Sequence, residues 1–135
     1  MKKFEILEHK ADLKIRAFGE NKEELFLNML LGMNAGLRPE LKAQSSKRKT
    51  IKVKSLDPEA LLVDFLSEVL YLTQVNREIY NKVRFTKLTD SELEAELFGQ
   101  TVKRFDEDIK AVTYHGLEIK KTEGGKREAT ILFDI

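Results

Sequence analysis

Residues 108–135 read Asp-Ile-Lys-Ala-Val-Thr-Tyr-His-Gly-Leu-Glu-Ile-Lys-Lys-Thr-Glu-Gly-Gly-Lys-Arg-Glu-Ala-Thr-Ile-Leu-Phe-Asp-Ile. Two segments rich in β-branched and aromatic residues flank Gly124-Gly125, the pattern of a β-hairpin turned at the glycines. The second segment runs straight into Asp134-Ile135 with no polar tail. A strand end is therefore expected to carry both the Asp134 carboxylate and the α-carboxylate of Ile135. Neighbouring negative charges disfavour one another's ionised form, so such a pair calls for a cationic partner.

Outward from this stretch, the same alternation recurs. Val83 and Phe85 alternate with Lys82 and Arg84, and Leu93, Ala95 and Leu97 with Glu94 and Glu96. The spacing predicts a hairpin, Lys82–Leu88 with Leu93–Phe98, turned at Thr89-Asp90-Ser91. Its outward residues are basic on one strand and acidic on the other, which favours that register. Gly99 to Glu107 reads as a polar connector between the hairpins.

At the other end, Phe4 and Ile6 alternate with Lys3 and Glu5, and Leu13, Ile15 and Ala17 with Asp12, Lys14 and Arg16. These are two half-buried strands joined by Glu8-His9-Lys10-Ala11. Asn21 and Glu24 then have the spacing of a capping box. Leu25, Met29, Leu30, Met33 and Leu37 form the apolar side of the helix they open, and Gly36 with Pro39 is expected to close it. Asp57-Pro58 joins a capping acid to a proline at the first helical position. The segment from Ala60 to Leu72 is apolar on more than one face, as a buried central helix should be. Between the helices, Lys42–Leu56 reads as a loop followed by a strand containing Ile51 and Val53. The order β-β-α-β-α-β-β-β-β predicts an α+β fold: a single domain over residues 1–135, a largely antiparallel sheet with two main helices packed on it.

Of the 135 residues, 41% are hydrophobic and 35% charged, which excludes a disordered chain. The formal net charge of +1 provides no overall field toward nucleic acid or membrane, so any such site is a local patch. No cysteine is present, which excludes disulfides, thiolate metal sites and cysteine nucleophiles. Neither a leader-like apolar region nor a membrane-length run is found, so a cytoplasmic location is expected.

Candidate site residues follow from residue type. Asp12 begins a strand and Asp134 ends one. If those strands are neighbours, both acids meet the carboxylate of Ile135, and such oxygen donors suit Ca²⁺ or Mg²⁺. If they are not, both are solvated strand ends. His9 and His115 are the only histidines, and with Asp12 they have the composition of a two-histidine, one-carboxylate metal site. Each is equally suited to a structural hydrogen bond. Lys110 is either solvated or directed to the acids, where it would hold a phosphate or a partner's carboxylate. Lys42, Lys47, Arg48, Lys49, Lys52 and Lys54 form a basic run without an acid, able to contact a phosphate backbone. The run has no interleaved aromatics, so the stacking half of a single-strand platform is missing and it reads as a solvated face. Neither a Gly-rich phosphate loop nor a nucleophile elbow is present.

Three blocks carry a family resemblance. Lys110-Ala-Val-Thr-Tyr-His-Gly-Leu-Glu-Ile119, with the final Phe133-Asp134-Ile135, resembles the archease signature. Glu8-His9-Lys10-Ala11-Asp12 resembles that family's Asp-His-Thr-Ala-Asp block, and Asp57 to Leu66 is similar to its long helix, which reads through Leu-Leu-Val-Asp-Trp-Leu. The resemblance implies a non-enzymatic accessory protein of the RtcB-type RNA ligase, which joins RNA ends, including tRNA exon halves, using GTP and a divalent metal. It implies that the accessory protein promotes ligase guanylylation and multiple turnover. It also implies a Ca²⁺ site at Asp12, Asp134 and Ile135, a functional lysine at Lys110, and a chaperone-like role toward a tRNA cytosine methyltransferase. Glu8 stands where the family has Asp, Lys10 where it has Thr, and Lys14 at a position that is often Gly. Lys10 brings a cation near the acids. Two other readings stand beside it: a metal-dependent hydrolase using the same acids, for which only His9 or His115 offers a base, and a direct RNA-binding module on Lys42–Lys54.

Overall fold

The structure is a computed structural model that describes residues 2–42 and 46–135, with His9 described by its backbone alone. In chain order its elements are β1 (Phe4–His9), β2 (Asp12–Gly19), α1 (Lys22–Leu37), β3 (Pro39–Leu41), β4 (Lys47–Lys54), α2 (Pro58–Asn76), β5 (Glu78–Leu88), β6 (Glu92–Phe105), β7 (Ala111–Thr113), β8 (Ile119–Lys121) and β9 (Arg127–Asp134). They build two antiparallel sheets. The first has the order β1-β2-β9-β7, with β8 also paired to β9; in the second, β6 pairs with β3, β4 and β5. Helix α1 packs on β2 and β5, and α2 packs on β4, β5 and β7. The fold is α+β and largely antiparallel, as the alternation predicts.

Both helix starts follow from local chemistry. Asn21 accepts the Glu24 N–H at 2.8 Å, and Asp57 accepts the Ala60 N–H at 2.7 Å ahead of the Pro58 turn. The Glu24 carboxylate returns to the Glu20 N–H, one residue before the cap. Inward residues of β2 (Leu13, Ile15, Ala17) and β9 (Ala129, Ile131, Phe133) share one buried cluster with Met29, Leu30 and Met33 of α1 and Phe65, Leu66 and Val69 of α2. Phe26, Phe65 and Phe85 meet ring to ring with centroids 5.8–6.5 Å apart, tying α1, α2 and β5 together.

Four expectations are corrected. Helix α1 is closed by Arg38 in the left-handed region (φ 48°), and Gly36 is a buried residue of its last turn. A Cβ on Gly36 would lie 2.5 Å from Cδ2 of Leu13, so the glycine permits close approach of α1 to β2. Gly99 to Glu107 is not a connector, because β6 continues unbroken to Phe105. Gly99 lies opposite a bulge at Tyr80, where a Cβ would be 2.1 Å from the Ile79 carbonyl oxygen. Both glycines resemble breaks in sequence, yet both serve packing. Thirdly, the strands form two sheets and include β3, which the alternation does not reveal. Fourthly, the first arm of the C-terminal hairpin is split: β8 and β9 turn at Gly124 and Gly125 (φ 90° and 82°), while a turn through Gly116 (φ 67°) separates β7 from β8. Among the described residues, no helix is long and apolar enough to cross a membrane.

Candidate functional site

Strands β2 and β9 are neighbours, with Leu13 opposite Phe133, Ile15 opposite Ile131 and Ala17 opposite Ala129. All six of these residues are buried. A slip of one residue would turn one strand's apolar set to solvent, so the core determines the register. That register places Asp12 directly opposite Asp134 on the outer face. Cβ atoms of directly opposed residues lie about 4.5–5.5 Å apart, and like charges in that position are destabilising. Asp12 is half-buried and Asp134 exposed. Among the described residues, no ion pair or hydrogen bond reaches either carboxylate. Ile135 follows Asp134 directly in the chain and packs against the core.

On the other flank of Asp134 lies Ala111, and the Lys110 N–H donates to the Asp134 carbonyl at 2.7 Å. The preceding Ile109 is fully buried, and its carbonyl accepts from Gln74 of α2 at 2.8 Å. Lys110 is thereby held beside the acid pair, exposed, on an open cleft of about 260 Å³ that it shares with Ser67, Tyr71 and Gln74. Lys10 is exposed in the turn between β1 and β2.

The histidines are placed differently. β7 runs away from Asp134, with Thr113 opposite Leu132, so it carries the exposed His115 away from Asp12. The His9 side chain lies outside the described residues. Among those residues, no three His, Cys, Asp or Glu side chains form a metal-ligating group. The structure does not bring Asp12 and His115 together.

One polar cluster escapes the sequence reading. Asp64 of α2 accepts from Ser55 at 2.6 Å and from the Tyr114 hydroxyl at 3.3 Å, anchoring the turn that carries His115. Burial, then the neighbouring Asp64 charge, raises the Tyr114 hydroxyl above its ordinary value. The available signal is an acid set among Leu61, Leu62, Val63, Phe65 and Leu66, since a charge in a buried helix needs partners.

The basic run has partners from a neighbouring strand. Lys54 approaches Glu92 at 3.5 Å and Lys52 approaches Glu94 at 3.8 Å, while Arg48 pairs with Glu96. From the other side, Arg84 also pairs with Glu96 and Lys87 with Glu92. Arg84 foremost, and Arg48 with it, hold the Glu96 carboxyl below the usual carboxylate range. Lys82, expected opposite an acid, lies opposite Phe98.

Asp12, Asp134 and a main-chain oxygen of Ile135 would offer oxygen donors alone, and among the described residues no ion pair competes for the two carboxylates, so these residue types fit a hard cation whose shell water or a partner completes. They lack the nitrogen and sulfur donors that structural zinc sites use.

These features define a small α+β protein whose first sheet ends in a register-enforced acid pair beside an anchored lysine. Residues 4–135 match the model of the Archease protein family, and the chain belongs to that family. Protein archease of Methanosarcina mazei is 37% identical over 142 aligned residues, covering 99% of this chain and 97% of that one. The solution structure of Methanobacterium thermoautotrophicum protein 1598 is similar with a TM-score of 0.73 and 27% identity, covering 100% of both chains. The crystal structure of an archease from Thermotoga maritima, described as a possible chaperone, shares the fold with a TM-score of 0.68 at 19% identity, over 97% of this chain and 96% of that one.

Proposed function

We propose that this chain is a non-enzymatic, metal-binding accessory protein that activates an RtcB-type RNA ligase in tRNA splicing and RNA repair, promoting ligase guanylylation and multiple turnover. Family membership supports the reading, and the Asp12–Asp134 register is the observation that carries it. A fold that opposes two carboxylates at neighbouring strand ends, with no ion pair to either among the described residues, gains from a cation there. Asp12, Asp134 and the main-chain oxygen of Ile135 would hold Ca²⁺ or Mg²⁺. When bound, the ion supplies a positive centre toward a partner's phosphate or carboxylate oxygens. Lys110 adds a second cation on the neighbouring strand, and Tyr71, 58% exposed, shares its cleft and gives a protein partner an aromatic anchor. A chaperone-like role toward a tRNA methyltransferase is the second reading, supported by the possible-chaperone description of the Thermotoga relative.

The test is guanylylation and turnover of a partner ligase with and without this protein. Asp12→Ala and Asp134→Ala, confirmed as folded by circular dichroism, are expected to lose the gain in multiple turnover. Full multiple turnover with Asp134→Ala would overturn the reading.

A further inference from the structure

We propose that the outer face of the β4-β6-β5 sheet binds a single-stranded polynucleotide, with Phe98 as its stacking centre. The basic run of β4 has no aromatic of its own, but the ladder supplies one. Arg48 of β4 and Lys82 of β5 both lie directly across from Phe98 of β6. Their charged groups stand 5.9 and 5.7 Å from its ring centroid. Below Phe98, two basic rows flank the central strand: Arg48, Lys52 and Lys54 on one side, Lys82, Arg84 and Lys87 on the other.

The acids between these rows, Glu92, Glu94 and Glu96, number half the cations, so the face keeps a positive surplus. The cations remain in solvent, with side chains of Arg48, Lys52, Lys54 and Arg84 exposed by 67, 77, 84 and 66%. Phosphates can therefore replace their counterions. Beside Phe98 opens a cleft of about 540 Å³, lined also by Ser46, Asn81, Lys82 and Gln100. It offers a base a ring to stack on and amide and hydroxyl groups for its edge, the combination by which single strands are read. An acidic protein would use the cations but would need neither the ring nor the cleft. The face is separate from the acid pair, which lies on the other sheet.

The experiment is fluorescence anisotropy of a labelled mixed-sequence RNA dodecamer titrated with the full chain at ~50 and ~200 mM salt. Polyglutamate serves as competitor. Binding is expected to weaken with salt. Lys52→Gln, Lys54→Gln and Lys82→Gln together should lower the log–log salt slope by about 2, at ~0.7 per phosphate contact. Phe98→Leu, which keeps an apolar side chain, should weaken binding about tenfold with the slope unchanged. Asp134→Asn should bind as the parent does. Absence of binding at the lower salt overturns the proposal. So does displacement by polyglutamate at equal charge with no effect of Phe98→Leu, which assigns the face to an acidic protein.

Discussion

Asp12 lies directly across from Asp134 in the β2–β9 ladder, two like charges opposed by the packing of the apolar residues behind them. Neither acid can move to another register without exposing Leu13, Ile15 or their partners, so the repulsion is held in place by the core. Local rules broken without an internal compensation are where function is to be sought.

Removing one acid should relieve this repulsion. In chelator, Asp134→Asn is expected to match the parent or gain up to ~1 kcal/mol. With free Ca²⁺ at about 100 times its dissociation constant, the parent should gain about 2.7 kcal/mol and the variant nothing comparable. Thermal melts with and without metal measure both. A parent unmoved by Ca²⁺ and Mg²⁺ alike contradicts the metal site.

Gly36→Ala separates the packing role of this glycine from a helix-ending one. In an exposed helix interior the change would stabilise by ~1 kcal/mol. Here the added methyl meets Leu13, and a loss of ~1–3 kcal/mol is expected from denaturant unfolding.

Acid should weaken the second sheet through Glu96. Its carboxyl is held below the ordinary value of 4.5 by Arg84 first, so in that window the unfolded chain binds more protons than the folded one. The stability it contributes is complete above the ordinary value and is lost as pH falls through the folded value. Glu96→Gln should flatten this part of the acid dependence of the denaturation midpoint.

Alkali acts on the opposite side of neutrality through Tyr80. Burial first, then its hydrogen bond to Glu78, raises the phenol above its ordinary value of 10. Its protonated form is favoured in the fold, so this contribution is present below that value and is lost as pH rises beyond it. Tyrosinate absorbance from Tyr80 should therefore appear only with unfolding. Tyr80→Phe should remove that dependence while leaving the buried Glu78 without its phenol, at a cost of ~1–3 kcal/mol at neutral pH.

Strand alternation, the Asn21 and Asp57 caps, the turn at Gly124-Gly125 and the α+β class are legible in the chain. Each depends on residues within a few positions of one another, and backbone preference and capping chemistry act over that range. Partner choice is not of this kind. The apolar stripe of β2 would suit many strands, and pairing with β9 follows from burying both stripes together against α1. That choice brings Asp12 to Asp134 and leaves His115 apart. It also gives Gly36 and Gly99 packing roles that resemble breaks in sequence, and it supplies Phe98 to a basic run that has no aromatic. These relationships join distant parts of the chain, and burial summed over the whole core decides them.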